Sequence, residues 1–199
     1  MKMFNMDRFV NTNPIDYNIR CKPNWGIKEY QFYHQIINKD FDICQLEEFI
    51  KCTFLSTNLF NDLTDDTIGI HIRFGDYVQS KISNCFDKKQ YIIKSLNKFN
   101  LNKIHVFSDD ISMCKDLLYS MNLPHVITFS DNKIDTLDFI QFSCFKYKIL
   151  WNSTFSYWSA FIGNVLFNNS YNCVCSPAKF TSNEPLNDHN NPLWSNIIV

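Results

Sequence analysis

Three side chains suited to phosphate binding or proton transfer lie close together in the segment "IGIHIRFGDYV" (residues 68–78): His71, Arg73 and Asp76. An arginine guanidinium presents a planar fork of N–H donors, which matches a diphosphate better than the point charge of a lysine does. Arg73 is the only arginine after residue 20 in a chain that otherwise uses lysine. These residues alone favour a phosphate site around Arg73.

The same segment has the alternation of a β-strand, because strand side chains point to opposite faces in turn. Three isoleucines face one side and three other residues face the opposite side: Ile68, Ile70 and Ile72 against Gly69, His71 and Arg73. Two of the chain's four glycines, Gly69 and Gly75, flank the arginine. The pattern predicts a strand that buries one face in a core and carries polar groups on the other.

Beyond residue 66, predicted strands and helices alternate. The strands are "TIGIHIR", "KIHVFS", "HVITFS", "KYKIL" and "YNCVC", and the helices are "DKKQYIIKSLNKF", "DISMCKDLLYSM", "DTLDFIQFSCF" and "TFSYWSAFIGNVL". Repeated strand–helix units predict an α/β fold with a parallel sheet flanked by helices. Residues 1–62 contain one or two predicted helices, the clearer being "DICQLEEFIKCTFL". We therefore expect an abbreviated N-terminal region, partly helical, and one domain over residues 63–199.

In open parallel sheets, ligands bind beyond the carboxyl ends of the strands. Four clusters fall there: Arg73–Asp76, Ser108–Asp110, Ser130–Asp131 and Trp151–Thr154. The last cluster begins a helix, and a helix N-terminus presents backbone N–H groups and partial positive charge to a phosphate. The sequence has neither Gly-x-Gly-x-x-Gly nor Gly-Lys-Ser/Thr. Any nucleotide phosphate must therefore be bound by arginine and helix N-termini.

Composition bounds the function classes. The chain has 199 residues, 45% of them hydrophobic, and a net charge of −1, which indicates a globular protein with no attraction to nucleic acid or an anionic membrane. No apolar run approaches a transmembrane segment or the core of a signal peptide, so we expect a cytoplasmic protein. The eight cysteines form no Cys-x-x-Cys pair, which favours free thiols over the alternative of a zinc site through Cys173, Cys175 and His189.

A family resemblance adds to these inferences. "GIHIRFGDYV" resembles the His-x-Arg-Arg-Gly-Asp-Tyr motif of the α-1,2-fucosyltransferases of glycosyltransferase family 11, and "FSDDISMCKDLL" is similar to that family's Phe-Ser-Asp-Asp segment. "DFIQFSCFKYKILWNSTFSYWSAFI" is similar to its later block, which ends in Asn-Ser-Thr-Phe-Ser-Trp-Trp. "CSPAKF" and "PLWSNII" also match family elements in order. The resemblance extends over residues 66–198.

The resemblance implies a GT-B-like enzyme with a Rossmann-like donor domain. Such an enzyme moves L-fucose from GDP-fucose, with inversion, to a hydroxyl of a galactoside-type glycan acceptor through an α-1,2 linkage, without a metal or another cofactor. Arg73 falls on the family arginine that contacts the β-phosphate, where it would stabilise charge on the departing GDP. His71 and Asp76 fall on positions that shape the donor site, and Asp138 lies where related enzymes pair a carboxylate with guanine. The phosphate-proximal helix start matches Ser153, Thr154 and Ser156.

Structural alternatives exist for these residues. His71 could be a core histidine bonded to a carbonyl, Asp76 could be a turn residue, and Asp138 could lie on a solvated helix face. Asp109 or Asp110 could be a helix N-cap. Arg73 is the hardest to explain structurally, because an unpaired arginine at a buried strand end carries a desolvation cost.

The glycines and one substitution complete the expectations from the motif. Gly69 is expected to allow close approach of the ligand, and Gly75 to allow the turn after Arg73. Phe74 stands where the family has a second arginine, which removes a cation from the expected neighbourhood of the diphosphate.

The N-terminal region leaves a second function class open. Family members carry a Gly-Asn-Gln-Leu-Phe-Gln motif and an acceptor domain before the arginine motif, and no such motif occurs here. One alternative is a non-catalytic protein that binds a GDP-sugar, or a chain whose acceptor site is supplied by a partner subunit. Another is a different nucleotide-sugar transferase that uses the same phosphate site.

Overall fold

The central strand of the fold is β1 (Thr64–Ile72), which contains the alternating segment found in the sequence. The structure, a computed structural model, describes residues 43–54, 60, 62–75, 86–168, 173–178 and 195–197. These residues all fall within one compact unit, Asp42–Val199.

Five more strands complete a six-stranded parallel sheet: β2 (Lys103–Ser108), β3 (Val126–Phe129), β4 (Phe145–Ile149), β5 (Val174–Pro177) and β6 (Ser195–Ile197). The strand order is β3-β2-β1-β4-β5-β6, and every pairing is parallel. The direction of winding reverses between β1 and β4, which makes their carboxyl ends the topological switch point of the sheet. The predicted α/β class is confirmed, with β6 as a strand that the alternation did not indicate.

The described residues include five helices: α1 (Ile43–Phe54), α2 (Lys88–Leu96), α3 (Ile111–Tyr119), α4 (Asp135–Ser143) and α5 (Thr154–Phe167). Carboxylate caps fix two helix starts, because Asp87 accepts from the N–H of Gln90 and Asp110 from that of Met113, both at 3.0 Å. Within the described part of the chain, no helix is long and apolar enough to cross a membrane.

The isoleucine face of β1 packs against α2 and α3. Ile68, Ile70 and Ile72 are completely buried, and each contributes about 1.5–3 kcal/mol through its burial. The predicted helix stripes lie in this core, with Ile92 and Leu96 from α2 and Cys114 and Leu118 from α3. The Tyr91 hydroxyl of α2 donates to the carbonyl of Leu150 at 2.5 Å and lies 3.3 Å from that of Cys175, which joins the helix to the ends of β4 and β5.

The opposite face of β1 is covered by α4 and α5, and this packing explains Gly69. A Cβ at position 69 would lie 2.9 Å from Cγ of Phe145 and 3.1 Å from the ring of Phe142. Both rings are buried, so neither has room to move away. The expectation that Gly69 makes room for a ligand is wrong; the glycine makes room for two aromatic rings of the core.

A lysine is buried in this same layer. Lys148 of β4 is paired in register with Gly69, is completely buried, and donates to the carbonyl of Phe145. Gly163 of α5 lies against it, since a Cβ there would lie 3.1 Å from Nζ of Lys148. Burial lowers the pKa of Lys148 to about 7, an effect that the nearby thiols of Cys144 and Cys173 partly oppose. The ammonium form of Lys148 therefore opposes folding.

We expect replacement of Lys148 by methionine to stabilise the protein below pH 7 by roughly 2–4 kcal/mol. The folded protein binds this proton less tightly than the unfolded chain, so parental stability rises with pH between about 7 and 10.5. Urea unfolding from pH 6 to 8, below the range where the thiols of the unfolded chain largely ionise, should show this rise in the parent and its loss in Lys148→Met. Lys146→Met on the same strand is the control, because Lys146 is only partly buried. Equal pH slopes in all three proteins would contradict the assignment.

Candidate active site

The carboxyl ends of β1, β2 and β4 meet the start of α5 at the switch point. Arg73 follows β1, Asp109 follows β2, and residues 151–153 join β4 to α5. Register pairs Ile72 of β1 with Ser108 of β2, so the residues that follow these two strands are neighbours. The structure thus brings together three of the four clusters that the sequence placed at strand ends.

Arg73 is held by a carboxylate. Its Nε lies 3.2 Å from Oδ2 of Asp109, and the two side chains are 37% and 23% exposed. The other oxygen of Asp109 accepts from the backbone N–H of Phe74 at 2.9 Å. The view of Arg73 as an unpaired arginine is therefore wrong. Of the two adjacent aspartates, Asp110 caps α3, while Asp109 pairs with Arg73; the sequence placed both at the ligand edge and left open which of them is the cap.

Gly75 lies against that carboxylate, and its backbone conformation does not call for a glycine. A Cβ at position 75 would collide with Oδ2 of Asp109, and the backbone at Gly75 is outside the left-handed region. The expectation that Gly75 supplies a special turn conformation is wrong. The glycine keeps open the space in which Asp109 approaches Arg73.

Phe74 points away from the site. It continues the parity of the β1 isoleucines, is 5% exposed, and belongs to the core under α2. Nζ of Lys88 lies 5.5 Å from the centre of its ring, which places a cation over an aromatic face. The side chain of Phe74 therefore lies on the opposite side of the sheet from that of Arg73. An arginine at position 74 would also start on the core side.

His71 is a buried, neutral imidazole in contact with α5. Its Nδ1 lies 2.5 Å from Oγ of Ser156, and its ring stacks on Phe155 with centroids 4.6 Å apart. Burial, together with the charge of Arg73, lowers the pKa of His71 to about 3. The partner is a hydroxyl rather than the backbone carbonyl of the structural alternative.

The bonds of Ser156 favour one tautomer of His71. Oγ of Ser156 accepts from the backbone N–H of Trp151 at 3.3 Å and lies 2.5 Å from Nδ1 of His71, and the hydroxyl has one proton to donate. When that proton is directed at Nδ1, the ring proton of His71 lies on Nε2. In either tautomer His71 is neutral and too weak a base to accept a proton near pH 7.

The start of α5 has the features of an anion site. Ser153 is the N-cap, with extended backbone (φ −139°, ψ 134°) and no side-chain cap bond to the first turn. Ser153 is buried and Thr154 is exposed, while Ser156 is completely buried and engaged with His71. The first-turn N–H groups lack the usual side-chain acceptor, and such groups bind phosphate oxygens.

Asp138 belongs to a separate cluster beyond β3. Its Oδ1 accepts from the hydroxyl of Ser130 at 2.5 Å and from the amide of Asn132 at 2.9 Å. That amide also donates to Oε1 of Gln141 at 2.9 Å. Asp138 lies in the first turn of α4, where the helix dipole favours a carboxylate. Since β2 separates β3 from β1, Asp138 lies at the same edge of the sheet as Arg73 but not beside it. Asp76 lies outside the described residues.

Comparison with known proteins identifies the family. The sequence model of Glycosyl transferase family 11 matches residues 17–179, which is most of the chain. The chain belongs to glycosyl transferase family 11. The match includes β1 to β5, and therefore all of the strand ends that form the candidate site described above.

One curated relative is the alpha-1,2-colitosyltransferase of Escherichia coli, which is 32% identical over 136 residues. The aligned part is 64% of this family-11 chain and 43% of the relative, so the chain spans less than half of that protein. No solved structure matches the chain significantly.

The assignment of His71 can be tested by NMR. In ¹⁵N-histidine-labelled protein we expect long-range ¹H–¹⁵N spectra to show His71 protonated on Nε2, with no titration between pH 5 and 8. His105 provides an internal reference of the opposite tautomer. Its Nδ1 lies 2.8 Å from Oγ1 of Thr128, which itself donates to the carbonyl of Ile104. A titration of His71 between pH 6 and 7 would contradict the assignment, and Ser156→Ala should abolish its preference for a single tautomer.

Proposed function

We propose that this family-11 glycosyltransferase moves L-fucose from GDP-fucose to a hydroxyl of a galactoside-type glycan, with an α-1,2 linkage and inversion. The observation that carries the proposal is the position of Arg73, which is fixed by a carboxylate at the switch point of the sheet. The uncapped start of α5 lies at the same switch point, after β4. These are the two kinds of group that the sequence required for a diphosphate without a glycine-rich loop.

In the proposed reaction, the bond between the anomeric carbon of fucose and the β-phosphate oxygen breaks while the acceptor hydroxyl attacks from the opposite face. Negative charge then grows on the departing GDP. Arg73 and the first-turn N–H groups of α5 stabilise this charge, and their contacts are stronger in the transition state than in the ground state. His71 donates from Nε2 and does not serve as the general base, since its pKa is about 3.

The remaining donor contacts are proposed from the motif positions. Asp138 is proposed to accept from the guanine edge, which its fixed orientation by Ser130 and Asn132 supports. Ser153 and Thr154 are proposed to bind phosphate, and Asp76 to shape the donor pocket. Ser156 supports the site through His71, because its hydroxyl is already bonded to that ring.

The relative named a colitosyltransferase supports a second candidate for the sugar. Colitose differs from L-fucose by the loss of one hydroxyl, so the same phosphate site serves either donor. The sugar pocket alone discriminates between the two donors.

An acceptor site completed by a partner subunit and a cytoplasmic location are further proposals, based on the sequence.

We expect GDP and GDP-fucose to raise the melting temperature of the protein, and UDP-galactose to leave it unchanged. A ligand present at 100 times its dissociation constant adds about 2.7 kcal/mol to the free energy of unfolding. Differential scanning fluorimetry with GDP, GDP-fucose, GDP-colitose, GDP-mannose and UDP-galactose measures this and ranks the two candidate sugars. If no guanine nucleotide shifts the transition, the proposed donor is wrong.

For Arg73→Lys we expect kcat to fall by on the order of 10²-fold, the scale of losing one preorganised donor, with a smaller loss of GDP affinity. Lysine keeps the charge but not the planar fork. Transfer to a panel of β-galactosides, followed by mass spectrometry, measures kcat, and calorimetry measures GDP binding.

Lys103→Gln is the matched control for that substitution. Lys103 is an exposed cation paired with Asp66 at 2.6 Å, at the opposite end of the sheet from the site. An equal loss of kcat in both variants, or full activity in Arg73→Lys, would argue against a role for Arg73 in the transition state.

A further inference from the structure

We propose that Asp109 is a positioning residue, whose carboxylate holds the Arg73 guanidinium at the place where it meets the donor diphosphate. The inference rests on the proposed function and assigns a role to a residue to which the motif comparison gave none. Asp109 itself does not contact the donor in this proposal.

Each carboxylate oxygen of Asp109 contacts a different group at the end of β1. Oδ2 lies 3.2 Å from Nε of Arg73, and Oδ1 accepts from the N–H of Phe74 at 2.9 Å. One carboxylate therefore bonds the backbone next to the arginine and pairs with the arginine side chain. The ion pair is made at Nε, where the planar guanidinium joins its aliphatic stem, so it restrains the base of the group.

The surroundings of Asp109 keep this geometry. Gly75 leaves the space that Oδ2 occupies, since any Cβ there would collide with it. Ser108 supports the turn, because its hydroxyl accepts from the N–H of Asp110 at 3.0 Å and lies 3.5 Å from Oδ1 of Asp109. The last residue of β2 and the two residues that follow it thus present one carboxylate to the end of β1.

Stability does not explain the arrangement. Arg73 and Asp109 are partly exposed, and ion pairs of that kind contribute little to folding. A carboxylate near a diphosphate also disfavours anion binding through its charge. The charge of Asp109 therefore does not favour donor binding, and the arrangement is explained by the orientation that it gives Arg73. A fixed orientation of Arg73 matters most in the transition state, where negative charge develops on the donor phosphate.

The substitution Asp109→Asn removes one of the two contacts of Asp109. Asparagine has one acceptor oxygen, so either Phe74 N–H or Arg73 Nε must face an NH₂ group. We expect kcat to fall about 10- to 100-fold in Asp109→Asn, with a change of less than about threefold in GMP binding. Asp110→Asn is the matched control, because asparagine and aspartate cap helices equally well, and it should keep parental kcat.

A double-mutant cycle with Arg73→Lys tests whether Asp109 acts through Arg73. In the Arg73→Lys background, Asp109→Asn should change kcat less than about twofold. If the parent shows no transfer, the same non-additivity is expected in GDP affinity measured by calorimetry, with GMP as the reference that lacks the β-phosphate.

The outcomes separate the two proposals. Equal effects of Asp109→Asn in both backgrounds, or parental kcat in Asp109→Asn, overturn the positioning role while the fucosyltransferase proposal stands. A parent chain that binds no guanine nucleotide overturns the proposed function, and with it the role of Asp109, which is then a surface ion pair only.

Discussion

The hydrogen bond between His71 and Ser156 connects the end of β1 to the first turn of α5, across 85 positions of sequence. The start of α5 depends on it, because Ser156 also accepts the N–H of Trp151 and so fixes the turn that leaves β4. Stacking of His71 on Phe155 adds a second contact in the same turn. A charged imidazole could not occupy this position without a large cost, so the site depends on a histidine that stays neutral.

The two faces of β1 have different roles. The isoleucine face supplies apolar burial against α2 and α3, and Phe74 extends it past the end of the strand. The other face receives two aromatic rings over Gly69, then His71, then Arg73 at the rim. Polarity therefore increases along one face of a single strand, from the core to the ligand edge, and one alternation pattern builds both core and site.

Much of this could be predicted from sequence. Alternation and helical periodicity gave the order of elements from β1 to β5, and the side of β1 that carries His71 and Arg73. Phe74 has the same parity as Ile68, Ile70 and Ile72, which predicts that it faces the core. The family motif, with an arginine at this position, favoured the ligand side instead. Strand β6 has three residues, too few for a periodic signal.

Contacts between distant segments were beyond the sequence. The ion pair of Arg73 with Asp109 requires β2 to lie beside β1, and the rings over Gly69 come from α4 and the start of β4. Periodicity identifies the face on which a residue lies but not the residue across from it. For this reason the sequence did not predict the surroundings of Gly69 and Gly75. Each glycine lies against a side chain that is distant in sequence.

The bond from Tyr91 to Leu150 has a consequence for how the protein opens. Leu150 lies directly before the turn into α5, and its own N–H is bonded to the carbonyl of Cys175 at 2.8 Å. The turn is therefore attached to α2, β4 and β5 at once, and it cannot fray without a cooperative loss of that whole unit. The bonded amide hydrogens of the turn, those of Leu150, Trp151 and Ser153, should exchange with solvent as slowly as those of the core, so this turn keeps its shape before any ligand arrives.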